Sequence, residues 1–363
     1  MNIVIAGGGT GGHLFPGIAL AREFVRVNRK NRVLFIGTRK GIESTVIPKE
    51  GFRIRYILAS GFKNRPFFKK IVSLIQIPLS VIQSFSFLAG FRADIVVGVG
   101  GYASGAVGVS SFLLNVPLVI QEQNVKPGVT NRFLGRLARE IFSSFVGTGR
   151  YVDGKNVHLT GNPIRREVVE AGEVKPNRKG TRFSILVLGG SQGARSLNIA
   201  IVNAMKYLPS MKESLSVVLQ TGRREYETVQ GLVEGLGFDV SVLPFIDDMG
   251  CAYKNADLVI SRSGATTLAE ITASGKPAIL VPFPFAVENH QECNARELEK
   301  RGCAKVILDG DFSGERLAEE ITYFFNNRET LQRMGIKSKE AGRPEAATLV
   351  VSRCLKIVEQ AGV

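Results

Sequence analysis

Short unbroken apolar runs alternate along this chain with longer stretches in which apolar residues recur every three to four positions. Runs of the first kind read as strands buried on both faces, the second as helices, and their alternation predicts doubly wound parallel sheets of the α/β class. In the first half the strands fall at Asn2–Ala6, Arg32–Ile36, Arg53–Leu58, Asp94–Gly98 and Pro117–Gln121, with helices at Ile18–Val27, Ile42–Lys49 and Ala103–Leu114. The scheme begins again at Phe183–Leu188, continues through Ala194–Leu208, Ser216–Gln220, Val240–Phe245, Asp257–Ser261, Ala278–Val281, Cys293–Arg301 and Lys305–Leu308, and ends in a helix at Ala346–Gln360. The polar stretch Glu170–Arg182, with Pro176, Asn177 and Gly180, reads as the linker. The length of 363 residues suits two domains. Two such halves imply a cleft faced by the strand ends of both.

One segment departs from the alternation. Ile71–Phe91 holds no charge and is flanked by Lys63, Arg65, Lys69, Lys70 and Arg92. Its length would reach across a bilayer, but its interior contains Pro78 and six Ser or Gln residues. Ser73, Gln76, Ser80, Gln83 and Ser84 form one helical stripe, and Ile71, Leu74, Ile75, Leu79, Val81, Ile82 and Phe85 the other face. The segment reads as an amphipathic helix that either packs on the sheet or lies in an anionic membrane surface.

The turns after the strands carry the candidate chemistry. Gly7-Gly8-Gly9-Thr10-Gly11-Gly12-His13 follows the first strand and precedes a helix, so its N–H groups suit a phosphate or other anion. His13 at its lip is placed for proton transfer. Gly7, Gly9 and Gly12 satisfy the dinucleotide pattern, but the second strand ends in Gly37-Thr38-Arg39-Lys40 with no acid for a ribose, although Arg39 could suit a 2′-phosphate. Similar turns occur at Gly98–Tyr102 and Gly189–Gly193. Glu122-Gln123-Asn124 stands at a strand's carboxyl end, where open α/β sheets bind ligands. Ser263 reads as the N-cap of a helix that carries Glu270 within reach of a nucleotide's sugar hydroxyls. Asp309-Gly310-Asp311 reads as a loop rather than a metal site, and Asp247-Asp248 as a helix start.

Charge adds an asymmetry. Of the net +15, residues 1–164 carry +14 (21 Lys and Arg against 7 Asp and Glu) and residues 165–363 only +1 (26 against 25). The basic half points to anionic partners. Cys251, Cys293, Cys303 and Cys354 form no paired motif, and with no leader pattern a reduced cytosolic setting is expected. His13, His158 and His290 lack a zinc-binding spacing.

Taken together, Gly8–Pro16 (GGTGGHLFP), Val97–Gly105 (VGVGGYASG), Glu122–Asn124, Gly161–Arg165 (GNPIR), Gly189–Arg195 (GGSQGAR), Phe245–Met249 (FIDDM), Arg262–Glu270 and Gly342–Ala346 resemble, in order and over almost the whole chain, the MurG family of GT-B glycosyltransferases. That family adds N-acetylglucosamine to lipid I in peptidoglycan synthesis. The resemblance implies a GT-B fold: an acceptor and membrane domain of residues 1–164 with 344–363, whose terminal helix crosses back to it, and a UDP-sugar domain of 165–343. Its donor contacts map onto Thr10, Gly11, Gly12, Asn124, Arg165, Ser191, Ile246, Ala265, Thr266, Thr267, Leu268, Ala269, Glu270 and Gln291. By the same resemblance the Ile246 backbone reads uracil, Glu270 the ribose, and Ser191 with the helix start after Ser263 the diphosphate. Gly9, Gly100, Gly101 and Tyr102 take the lipid's pyrophosphate. His13 is the general base and Glu122 the runner-up. No cofactor or metal is required, and inversion follows from a single displacement. Implied partners are UDP-N-acetylglucosamine, lipid I, an anionic membrane surface at the cytoplasmic face and other cell-wall synthesis proteins, but no nucleic acid. Two departures from the family are Gln121, where histidine is frequent, and His290-Gln291, where paired glutamines are frequent; the second leaves the sugar-reading residue open. The competing readings are a GT-B enzyme for another membrane lipid, a UDP-sugar epimerase, a non-catalytic sugar-nucleotide binder and an NADP oxidoreductase.

Overall fold

The computed structural model describes residues 1–59, 67–152, 156–173, 182–190 and 193–362, with backbone only for 67–75. The chain divides into two compact units, Met1–Ile164 with Pro344–Val363, and Arg165–Arg343.

The first unit runs β1 (Asn2–Gly7), α1 (Gly11–Val27), β2 (Arg32–Gly37), α2 (Glu43–Lys49), β3 (Arg53–Tyr56), α3 (Phe67–Phe91), β4 (Ile95–Gly100), α4 (Tyr102–Leu113), β5 (Leu118–Glu122), α5 (Val129–Leu134), β6 (Glu140–Ser143) and β7 (Val157–Leu159). Its seven strands lie parallel in the order β3-β2-β1-β4-β5-β6-β7. The order reverses between β1 and β4, so the turns after these two strands share the switch point where such sheets bind ligands. Ile3, Ile5, Ile95, Val97 and Val119 pack on one face with α1, and Val4, Ala6, Val96, Leu118 and Ile120 on the other with α4.

The second unit runs α6 (Arg166–Glu173), β8 (Phe183–Leu188), α7 (Arg195–Lys206), β9 (Leu215–Gln220), α8 (Tyr226–Val233), β10 (Asp239–Leu243), α9 (Met249–Asn255), β11 (Leu258–Ser261), α10 (Ala265–Ala273), β12 (Ala278–Leu280), α11 (His290–Lys300), β13 (Ala304–Val306), α12 (Gly314–Asn326) and α13 (Arg328–Ala341). Its six strands are also parallel, in the order β10-β9-β8-β11-β12-β13, with the reversal between β8 and β11. The last helix, α14 (Ala346–Gln360), belongs to the first unit. It packs on α1 and buries Val350, Val351 and Val358, each contributing about 1.5–3 kcal/mol. Arg353 fixes it further through two bonds to Glu140 of β6, at 2.6 and 2.7 Å.

Three expectations are corrected. The division does not fall at the polar stretch read as the linker but at Ile164, the bound the family resemblance gave, because α6 packs on α9 and α10 and buries Val168. Helix α1 starts at Gly11 rather than Ile18, with Thr10 extended before it, so His13 lies in its first turn. Ser263 does not cap α10: the N-cap is Gly264, and the Ser263 hydroxyl donates to the Gln291 carbonyl at 2.9 Å. By contrast Asp248 does cap α9, accepting from the Cys251 N–H at 2.8 Å.

Helix α3 turns Ser80 and Ser84 inward and leaves Ser86 exposed. Ser80 and Ser84 are buried, with the Ser80 hydroxyl reaching the Leu58 carbonyl, and Ser110 of α4 donates to the Val81 carbonyl. Small hydroxyl residues let α3 and α4 approach closely while each donor finds a backbone acceptor. Ile77, Leu79, Ile82 and Phe85 are left exposed, Ile82 by 63%. No helix among the described residues is long and apolar enough to cross a membrane.

Candidate active site

At the switch point of the first unit two glycine turns lie against each other. Gly7 and Gly101 have positive φ, and a Cβ on either would come within 2.7 Å of a backbone oxygen of the opposite turn: Gly100 for the first, Gly8 for the second. Only glycine allows both the conformation and the approach. The first turn is also held from below. Glu43, buried at the start of α2, accepts from the Gly9 N–H at 2.8 Å and from the Thr38 N–H and hydroxyl, each at 2.9 Å. An internal carboxylate thus occupies the Gly9 N–H, as the Ser104 hydroxyl occupies that of Gly100 at 3.1 Å. Tyr102 opens α4 and is exposed.

His13 stands above these turns. Its ring rests on Gly100, and its Nδ1 lies 3.0 Å from Gln123 Oε1. Its Nε2 has no hydrogen-bond partner among the described residues. Glu122 is differently placed. It is buried at the end of β5, and its oxygens accept from the Asn124 N–H at 2.9 Å, the Asn124 amide at 3.3 Å and the Asn131 amide at 2.8 Å. Burial pushes its carboxyl above the ordinary range, opposed by those bonds and by the nearby His13. Such a carboxylate shapes the turn that presents Asn124. Gln121 ties β5 to the Gly161 carbonyl at 3.0 Å.

In the second unit the switch-point turns are those after β8 and β11. Gly193 has φ of +76°, and a Cβ there would collide with the Thr221 carbonyl oxygen. Ser191 lies outside the described residues. Ala265, Thr266, Thr267, Leu268 and Ala269 form the first turns of α10, with Glu270 one step beyond. Glu270 is buried, accepts from Arg165 Nε and Nη2 at 3.2 Å each, and from the Tyr253 hydroxyl at 3.2 Å. Burial raises its pKa against the pull of Arg165, and burial with the Glu270 charge pushes Tyr253 well above its usual value. Gln291 accepts from the Phe283 N–H at 3.0 Å, while His290 Nδ1 meets the Val287 carbonyl at 2.7 Å. Ile246 is buried in the turn after β10.

Asp309 opens a 3-10 turn and pairs with Arg262 at 2.7 Å, which accounts for it as a structural partner. Among the described residues no group of three or more His, Cys, Asp and Glu side chains converges as metal ligands do.

The sequence pattern of the glycosyltransferase family 28 N-terminal domain matches residues 3–143, and that of its C-terminal domain residues 184–350. A protein of Myxococcus xanthus is 44% identical over 99% of this chain and 94% of its own length, and one of Syntrophus aciditrophicus is 43% identical over 99% of each. Both bear the name UDP-N-acetylglucosamine–N-acetylmuramyl-(pentapeptide) pyrophosphoryl-undecaprenol N-acetylglucosamine transferase. Among solved structures, the MurG of Acinetobacter baumannii aligns with a TM-score of 0.79 at 29% identity, covering 98% of this chain and 99% of that one. A UDP-GlcNAc 2-epimerase of Neisseria meningitidis aligns at 0.69 but only 14% identity, over 98% and 100%, a likeness of fold alone.

Proposed function

The chain belongs to glycosyltransferase family 28, and from that premise we propose that it transfers N-acetylglucosamine from UDP-N-acetylglucosamine to lipid I, forming lipid II with inversion at the anomeric carbon. The observation that carries this reading is the breadth of the likeness, 44% identity across 99% of the chain, spanning both glycine-turn clusters.

In this reading the muramoyl C4 hydroxyl attacks the anomeric carbon as His13 Nε2 takes its proton, and the bond from that carbon to the UDP oxygen breaks. The leaving diphosphate is stabilised by N–H groups of the Gly189–Gly193 turn and the start of α10, with no metal ion required. Glu270 holds the ribose, the Ile246 backbone the uracil and Gln291 the sugar. The turn that carries Gly101 and Tyr102 receives the pyrophosphate of the acceptor, the N–H groups of Gly9 and Gly100 being engaged by Glu43 and Ser104.

The protein works in this account as a peripheral protein at the cytoplasmic face of the membrane. Support comes from the exposed apolar side of α3, from Phe112 and Leu113 exposed on the neighbouring α4, and from the +14 charge of residues 1–164. Apolar area and basic charge together are what anionic surfaces bind.

The test is a reaction of the purified protein with UDP-N-acetylglucosamine and a short-chain lipid I analogue in EDTA, read by mass. An acceptor heavier by one N-acetylhexosamine is expected. UDP released with the acceptor unchanged would overturn the assignment.

A further inference from the structure

Gln123 is buried, and the orientation of its amide is determined by the backbone around it. Its Nε2 donates to the Val99 carbonyl at 3.0 Å and to the Gln121 carbonyl at 2.9 Å. Turning the amide over would set its oxygen against two carbonyl oxygens, so Oε1 must be the atom that faces His13. That oxygen carries no hydrogen and can only accept. At 3.0 Å from His13 Nδ1 it therefore requires a proton on Nδ1.

The consequence falls on the other ring nitrogen. With Nδ1 protonated in a neutral ring, Nε2 holds the lone pair, and it has no partner among the described residues. Gly100 closes the remaining freedom: a Cβ there would stand 2.7 Å from Nδ1 and 2.8 Å from Cε1, so the ring packs against a surface that only glycine leaves open. Val99 belongs to β4 and Gln121 to β5, adjacent parallel strands of the central sheet. The ring's tautomer is thus tied to the register of two buried strands.

We propose that Gln123 is a positioning residue that holds His13 as the Nδ1–H tautomer and so leaves Nε2 as the basic nitrogen. The assignment deepens the reading of His13 as general base and rests on it. When the acceptor hydroxyl gives its proton to Nε2, the ring becomes an imidazolium whose Nδ1–H still donates to Gln123 Oε1; the same pair of electrons that held the proton forms the new bond to the anomeric carbon. A neutral amide orients the ring without the ion pair a carboxylate would form with the imidazolium, which leaves Nε2 free to pass its proton to water afterwards.

The experiment is nitrogen-15 NMR of the imidazole rings in the full chain, labelled at its three histidines, at mildly alkaline pH, with His13 assigned by the signals lost in His13→Ala. The wild type should show His13 protonated at Nδ1 and bare at Nε2. Gln123→Met, which removes the acceptor at similar volume, should move the proton to Nε2. It should lower kcat by roughly 10- to 100-fold, the scale seen when the outer-shell partner that orients a metal-bound histidine is lost, with the KM for UDP-N-acetylglucosamine changed less than about twofold. The wild-type spectrum stands as a test even if the variant fails to fold. A wild-type ring protonated at Nε2, or a tautomer that Gln123→Met leaves in place, would overturn the assignment. Near-normal turnover of His13→Ala would overturn the base reading itself, whatever the spectra show.

Discussion

The backbone of Gly100 lies against the imidazole of His13 so closely that a single methyl group at Gly100 would stand 2.7 Å from Nδ1. The φ of this residue, +102°, independently disfavours any side chain. Gly100→Ala should therefore tilt the ring away from Gln123 and cost on the order of 1–3 kcal/mol of stability. The expected outcome is a loss of turnover comparable to that of a His13 variant, with UDP-N-acetylglucosamine affinity by calorimetry unchanged. Full activity in a folded Gly100→Ala protein would show that the ring's seat is irrelevant to catalysis.

Glu270 yields a prediction about stability and pH. Burial raises its folded pKa above the ordinary carboxylate value of 4.5 despite Arg165. The folded state then binds its proton more tightly than the unfolded state, so its contribution to stability declines as pH rises from about 4 toward and through the raised value. Glu270→Gln lacks that decline. The stability of this variant relative to wild type should grow from pH 4 to about pH 7, measured by calorimetric unfolding, while its UDP affinity falls. A difference that is flat, or that shrinks as pH rises, would contradict the assignment of burial as the dominant cause.

The outward apolar side of α3 can be tested without disturbing the core. Leu79 and Ile82 are exposed, whereas the serines that seat the helix point inward. Replacing both with Ser should leave the melting temperature within a few degrees and reduce binding to phosphatidylglycerol vesicles several-fold, with residual binding weakened further by salt. Unaltered co-sedimentation would remove α3 from the membrane reading.

The sheets, the glycine turns and the residues at their lips were legible in the sequence because each is a local pattern: an apolar run, glycines, then a helical period. The start of α1 was not, since Gly11, Gly12 and Pro16 break the apolar period that marks a helix, although the turn's own geometry begins it at Gly11. Nor could sequence show which side of α3 faces inward, because that depends on where Leu58 and Ser110 arrive. Glu43, Asn131 and Tyr253 were missed for one reason. Each acts through a partner separated from it along the chain, Gly9, Glu122 and Glu270 respectively, and nothing near them in sequence announces it. Gln123 was visible only as a member of a polar triplet at a strand end. Its amide orientation comes from backbone carbonyls of two strands. Ser263 has the composition of an N-cap, yet the bond to Gln291 claims its hydroxyl.

The most direct test of the account compares His13→Ala with wild type in transfer from UDP-N-acetylglucosamine to a short-chain lipid I analogue, alongside UDP-sugar affinity by calorimetry. In His13→Ala kcat should fall by roughly 10²- to 10⁴-fold, the usual contribution of a positioned general base, with donor affinity within a few-fold of wild type. Turnover near the wild-type rate would contradict it and move the search for the base elsewhere in the first unit.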